Sequence, residues 1–168
     1  MSVRRPGDPR AEALLQRHRA CFPGTAVPVP VAEIAEDLLG LRVREEPALA
    51  ASGMLIPSAR LIVVNGAESA LRRRFTLAHE VAHWVVHCTG GAPPPILCRA
   101  VGPRTSADAR EREANVFAAD LLMPEAELPA AFTPGAALGP LAERFGVSDE
   151  AMAWRLFNLG LTDSPPAP

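Results

Sequence analysis

His79-Glu80-Val81-Ala82-His83 lies inside the apolar run from Phe75 to Val86, and no other stretch limits the fold of this chain so strongly. Residues four apart share one face of a helix, so His79 and His83 can aim two imidazole nitrogens at one point. Glu80 sits about 100° round the same helix, able to reach a water held there without joining the ligands. Phe75, Leu77, Ala78, Val81, Ala82, Trp84, Val85 and Val86 are apolar nearly all round, which predicts a buried helix. Burying two imidazoles and a carboxylate without partners is costly. A metal ion with its bound water supplies those partners. The pattern then reads as a zinc hydrolase site: two neutral His ligands, one open position and a carboxylate base.

Around this helix the hydrophobic period changes in a definite order. Residues 9 to 20 form a charged amphipathic helix through Ala13, Leu14 and Leu15, and the Pro-rich stretch Phe22 to Pro30 is a loop. Pro30 can start a helix from Val31 to Leu39, which Gly40 ends. Leu41-Arg42-Val43-Arg44 alternates as a strand does, and Met54-Leu55-Ile56 and Arg60-Leu61-Ile62-Val63-Val64 read as two more strands joined tightly through Pro57-Ser58-Ala59. The His79 helix is expected over 69–88, a Pro/Gly-rich loop over 89–105, and a further helix over 106–122 that stops at Pro124. Short helices follow at 125–131, 138–145 and 148–159. This is an α+β order, a small antiparallel sheet packed against helices.

Composition excludes several functions. A net charge of −2 gives no general pull towards nucleic acid or anionic membranes. No apolar run reaches the ~18 residues of a membrane span. The N-terminus lacks the apolar core of a signal peptide. Cys21, Cys88 and Cys98 make an odd set without paired spacing, which reads as reduced thiols in the cytoplasm.

A catalytic metal site needs a third protein ligand. His87 continues the face of His79 and His83, but positions i, i+4 and i+8 on a straight helix are too spread out to meet at one ion. It is read as lining the cleft or holding a ligand in place. The helix over 106–122 offers Glu111 and Glu113. Its apolar stripe runs through Ala114, Phe117, Ala118, Leu121 and Leu122, with Glu111 about 60° from the stripe's centre and Glu113 about 100°. Glu111 is the better placed, and Glu113 stays the alternative. Asn115, one turn after Glu111, can hydrogen-bond a ligand imidazole and fix its tautomer.

Phe75-Thr76-Leu77-Ala78-His79-Glu80-Val81-Ala82-His83-Trp84, followed by Glu111-x-Glu113-Ala114-Asn115-x-Phe117-Ala118-Ala119-x-Leu121-Leu122-Met123-Pro124, resembles the ImmA/IrrE family of metallopeptidases and the wider gluzincin pattern. The resemblance implies a zincin-like fold in which His79, His83 and Glu111 are ligands, Glu80 is the base and Asn115 orients a ligand. It implies Zn2+, with Mn2+ or Fe2+ also suited to two His and a carboxylate. It further implies an endopeptidase that cleaves a helix-turn-helix repressor encoded nearby, switching on a mobile-element or stress operon. The expected division is a disordered start at 1–8, a zincin-like domain over 9–131, a small helical tail over 132–161 and a disordered end at 162–168.

Three further expectations concern the surroundings of the site. The chain has no tyrosine, so no phenol can donate to an oxyanion, leaving His87 or an arginine of Arg72-Arg73-Arg74 as candidates, although that run also reads as a solvated helix start. Strand Arg60, Leu61, Ile62, Val63, Val64 is the candidate for taking substrate by strand addition, if it lies at a sheet edge rather than inside. Finally, Leu141 to Leu156 has helix-turn-helix spacing with Gly146 at the turn. Between Ala137 and Pro168, however, Arg144 and Arg155 face Glu143, Asp149, Glu150 and Asp163. Phosphate binding needs clustered positive charge, so direct DNA contact is not expected. The competing reading is a non-proteolytic zinc-binding partner of the toxin or antitoxin type, or a DNA-associated regulator.

Overall fold

A computed structural model describes residues 7–24, 27–88, 96–98, 109–163 and 165–166. The chain divides into two compact units, one of Pro30–Ala118 and one of Met1–Val29 with Ala119–Pro168.

The unit Pro30–Ala118 holds the sheet and follows helix α1 (Pro9–Cys21) in the chain. Helix α2 (Val31–Glu33) starts behind Pro30 and widens into a π-helical turn, Ile34–Leu38. Gly40, at φ +62°, reverses the chain into β1 (Arg42–Glu45). Strands β2 (Gly53–Ile56) and β3 (Leu61–Val64) are joined by one 3-10 turn, Pro57–Ala59, and by Arg60 in the left-handed region at φ +49°. Helix α3 (Ala70–Ala82) is opened by Ser69, whose side chain accepts from the Arg72 N–H, and runs on into a π-helical turn, His83–His87. Strand β4 (Ile96–Cys98) and helix α4 (Ala109–Leu122) follow.

The sheet order is β1-β3-β2-β4. Met54 faces Val63 across the antiparallel β2–β3 pair, and Gly53 faces Cys98 across the antiparallel β2–β4 pair. The α+β class is as the sequence predicts, with two differences. Strand β1 runs parallel to β3, Arg42 beside Leu61, because β2 lies on the far side of β3 and reverses the chain between them. Strand β4 lies inside the stretch expected to be a loop; the rest of 89–105 falls outside the described residues. One face of the sheet is covered by α3, whose Leu77, Ala78, Val81 and Ala82 are buried with Leu55, Ile62 and Val64. Each larger aliphatic side chain removed from water contributes about 1.5–3 kcal/mol.

Topology also corrects the candidate substrate strand. Strand β3 is flanked by β1 and β2, so Arg60 to Val64 offers no free backbone edge to a peptide. Among the described residues the outer strands are β1 and β4.

The other unit contains α1 with α5 (Leu128–Ala131), α6 (Leu138–Phe145) and α7 (Asp149–Asn158). Gly146, at φ +64°, ends α6, and Ser148 then caps α7 by accepting from the Ala151 N–H. Buried Arg155 of α7 donates from Nε to the Met123 carbonyl at 3.0 Å and pairs with buried Asp120, which also accepts the Asp8 N–H at 2.6 Å. These contacts group α1 with the C-terminal helices, whereas the sequence pattern places it with the residues up to 131. They also remove one of the tail's two arginines from any phosphate contact. The expected disorder at 1–8 and 162–168 falls mostly outside the described residues.

Candidate metal centre

Helix α3 and the π-helical turn that continues it aim His79 and His83 the same way, and their Nε2 atoms lie 3.0 Å apart. Glu111, in the first turn of α4, meets both: its Oε2 is 3.1 Å from His79 Nε2 and its Oε1 is 3.1 Å from His83 Nε2. Both imidazoles are buried, while the Glu111 carboxylate keeps partial access to solvent. These three residues could hold a metal ion.

The far side of each ring fixes its tautomer. Asn115 Oδ1 lies 2.9 Å from His79 Nδ1 and can only accept, so that nitrogen carries the proton. His87 Nε2 lies 3.3 Å from Glu113 Oε2 and donates to it, which leaves His87 Nδ1 to accept from His83 Nδ1 at 2.9 Å. Both Nε2 atoms therefore present bare lone pairs to one another and to a carboxylate. Such a set repels itself unless a cation lies between its members. A four-coordinate ion bound at about 2.1 Å keeps its ligand atoms about 3.4 Å apart, so the trio needs to open by only a few tenths of an ångström.

Electrostatics favours the same protonation states. Burial, reinforced by His79, pushes the His83 imidazolium down to about 4. Its close contact with the His79 ring holds the Glu111 carboxyl below its ordinary range, although burial opposes this. Neutral imidazole and ionised carboxylate are the forms that bind metals.

The other candidates sort clearly. Glu113 lies with His87 and not with the trio. His87 stays out of the trio, as the helical geometry requires; the π-helical turn His83–His87 sets its ring 5.0 Å from that of His83 instead. Glu80 is fully buried on α3 beside strand β2. The arginine run is neither free in solvent nor turned to the metal centre at its first two positions. Arg72 reaches Ser52 and Glu68, while Arg73 donates to the Glu68 carbonyl at 2.9 Å and pairs with Glu45 at 3.3 Å, so both fasten the start of α3 to its surroundings. Sequence reasoning misses the His87–Glu113 contact and the approach of Gly53 to Glu80. A glycine opening an apolar strand is the available signal for the second.

Residues 36–157 match the Peptidase_M78 family model, described as the IrrE N-terminal-like domain. The chain is 35% identical over 120 residues to the radiation response metalloprotease IrrE of Deinococcus radiodurans, an alignment covering 69% of this chain and 35% of that protein. A Mycobacterium tuberculosis transcriptional regulator superposes with a TM-score of 0.61 at 22% identity, over 88% of this chain and 46% of that one. At that identity the likeness speaks for the fold alone. The chain thus spans less than half the length of either relative.

Proposed function

The chain belongs to the Peptidase_M78 family of IrrE N-terminal-like domains, and from that premise we propose that it is a zinc-dependent endopeptidase acting on a helix-turn-helix repressor encoded nearby. One observation carries the catalytic part: two imidazole Nε2 atoms and the Glu111 carboxylate converge within 3.1 Å, on a helix that also carries buried Glu80. The substrate part rests on the family resemblance of the two motifs.

His79, His83 and Glu111 would hold the ion, with Asn115 and His87 keeping the two imidazoles in the ligating tautomer. Zinc there would supply Lewis acidity, bringing the pKa of a coordinated water to about 7 and offsetting negative charge on the scissile carbonyl. Glu80 takes a proton onto its carboxylate as water attacks the peptide carbon, then passes it to the leaving amine nitrogen. Strand β4, one of the two outer strands among the described residues and paired with β2, is a better candidate than β3 to receive an extended substrate. No described helix is long and apolar enough to cross a membrane, and the odd cysteine count supports a cytoplasmic setting.

The test pairs wild type with Glu80→Gln, using the repressor from the neighbouring reading frame. Both should bind one zinc per chain, and only wild type should yield two repressor fragments. Equal effects of the two proteins on repressor function, without cleavage, would instead support a zinc-binding partner that acts by association.

A further inference from the structure

Gly53 opens β2, an interior strand, where it pairs with Val64 on one side and Cys98 on the other. Glycine weakens a strand interior, so it needs a local reason. Backbone conformation does not provide one, because Gly53 lies outside the left-handed region that favours glycine. Space does. A Cβ at Gly53 would overlap Thr76 Cγ2, and it would lie 2.9 Å from Glu80 Oε1 and 3.4 Å from Glu80 Cγ.

Thr76 and Glu80 are one turn apart on α3, on the face that meets β2, and both are buried. Thr76 Cγ2 stands only one bond beyond its Cβ on a buried side chain, so it has little reach with which to withdraw. The Glu80 carboxylate ends a more flexible chain, and it would give way first. On the metallopeptidase reading above, that carboxylate must stay in reach of the attacking water.

We propose that Gly53 is a positioning residue for Glu80: its missing side chain forms the notch in β2 against which the carboxylate of the base is set. The strand thereby fixes a group on the neighbouring helix, and any side chain at position 53 moves the base while leaving His79, His83 and Glu111 in place. The ligands lie elsewhere, on α3, on the π-helical turn that continues it and on α4, so metal binding survives.

The experiment uses the full chain loaded with Co2+, comparing wild type, Gly53→Ala, Gly53→Ala/Thr76→Ser and Glu80→Gln. Thr76→Ser deletes Cγ2, the atom of the shorter clash, and so relieves helix–strand crowding while leaving the contact with Glu80. Every variant should bind one Co2+ per chain. The pH midpoint of the Co2+ visible spectrum in Gly53→Ala should move from the wild-type value towards that of Glu80→Gln, and repressor cleavage should slow by about 10–100-fold in kcat with KM little changed. The double variant should recover thermal stability but keep the displaced midpoint and slow turnover. Wild-type behaviour of Gly53→Ala, or full recovery of both readouts in the double variant, would overturn the proposal and reduce Gly53 to helix–strand packing. An identical midpoint in wild type and Glu80→Gln would remove Glu80 as the base, and the proposal with it.

Discussion

At the scale of single residues, the centre depends on protons held away from it. Asn115 and His87 each engage the Nδ1 of one imidazole, and Glu113 settles which way His87 faces. Replacing either Asn115 or His87 by Ala should weaken metal affinity about 10–100-fold, read by competition with a chelator; an unchanged affinity for both would show that the rings need no such support. The same burial makes the metal-free protein acid-sensitive. His83 titrates near 4 when folded and near its ordinary 6.5 when unfolded, so below 6.5 the unfolded chain binds the proton more tightly. Stability from this group is complete above about 6.5 and is lost as the pH falls towards about 4. Glu111, also held down, adds to the loss as the pH falls through its lower folded value. Urea titrations of the metal-free protein between about pH 7 and 4 should show the decline, and His83→Ala should flatten it.

At the scale of elements, the sheet and the helical segment that carries His79 and His83 are tied by a residue that the sequence pattern marks only as strand. Arg60 occupies the left-handed region at φ +49°, donates from Nε to the Gly40 carbonyl at 3.0 Å, hydrogen-bonds the Leu39 carbonyl, and sets its guanidinium 5.0 Å from the ring centre of Trp84, next to His83. Its backbone conformation is costly for any residue with a Cβ, whereas its exposed side chain returns only about 0.5–1 kcal/mol through the aromatic contact. Arg60→Ala keeps the strain and loses the contacts; Arg60→Gly loses the contacts and relieves the strain. The glycine variant should therefore be the more stable of the two by about 1 kcal/mol in denaturant titrations. The reverse order would mean that the left-handed turn carries no cost here.

At the scale of the molecule, the unit that joins the N-terminal helix to the C-terminal helices rests on a buried ion pair. Asp120 and Arg155 are 5% and 7% exposed, and burial alone would drive each towards its neutral form. Arg155→Met leaves a buried carboxylate without its cation and should cost about 3–5 kcal/mol, while Arg155→Met with Asp120→Leu should recover much of that in thermal melts. Equal losses in the two variants would assign the effect to the hydrogen bond on Met123. The helical segment carrying His79, Glu80 and His83, and the approach of Glu111 rather than Glu113 to the two imidazoles, were legible from sequence because helical geometry fixes the relative direction of residues within two turns. Asn115 as the partner of an imidazole was legible for the same reason. Other features were not: the interior place of β3, the parallel β1, strand β4, the grouping of α1 with the tail, the seat of His87 between His83 and Glu113, and the notch at Gly53. Each depends on segments far apart in the chain, or on opposite sides of a turn, coming together. Period-3.6 and period-2 patterns record which face of an element is apolar, and they carry no information about which neighbour that face or edge will meet; only the packed tertiary structure decides that.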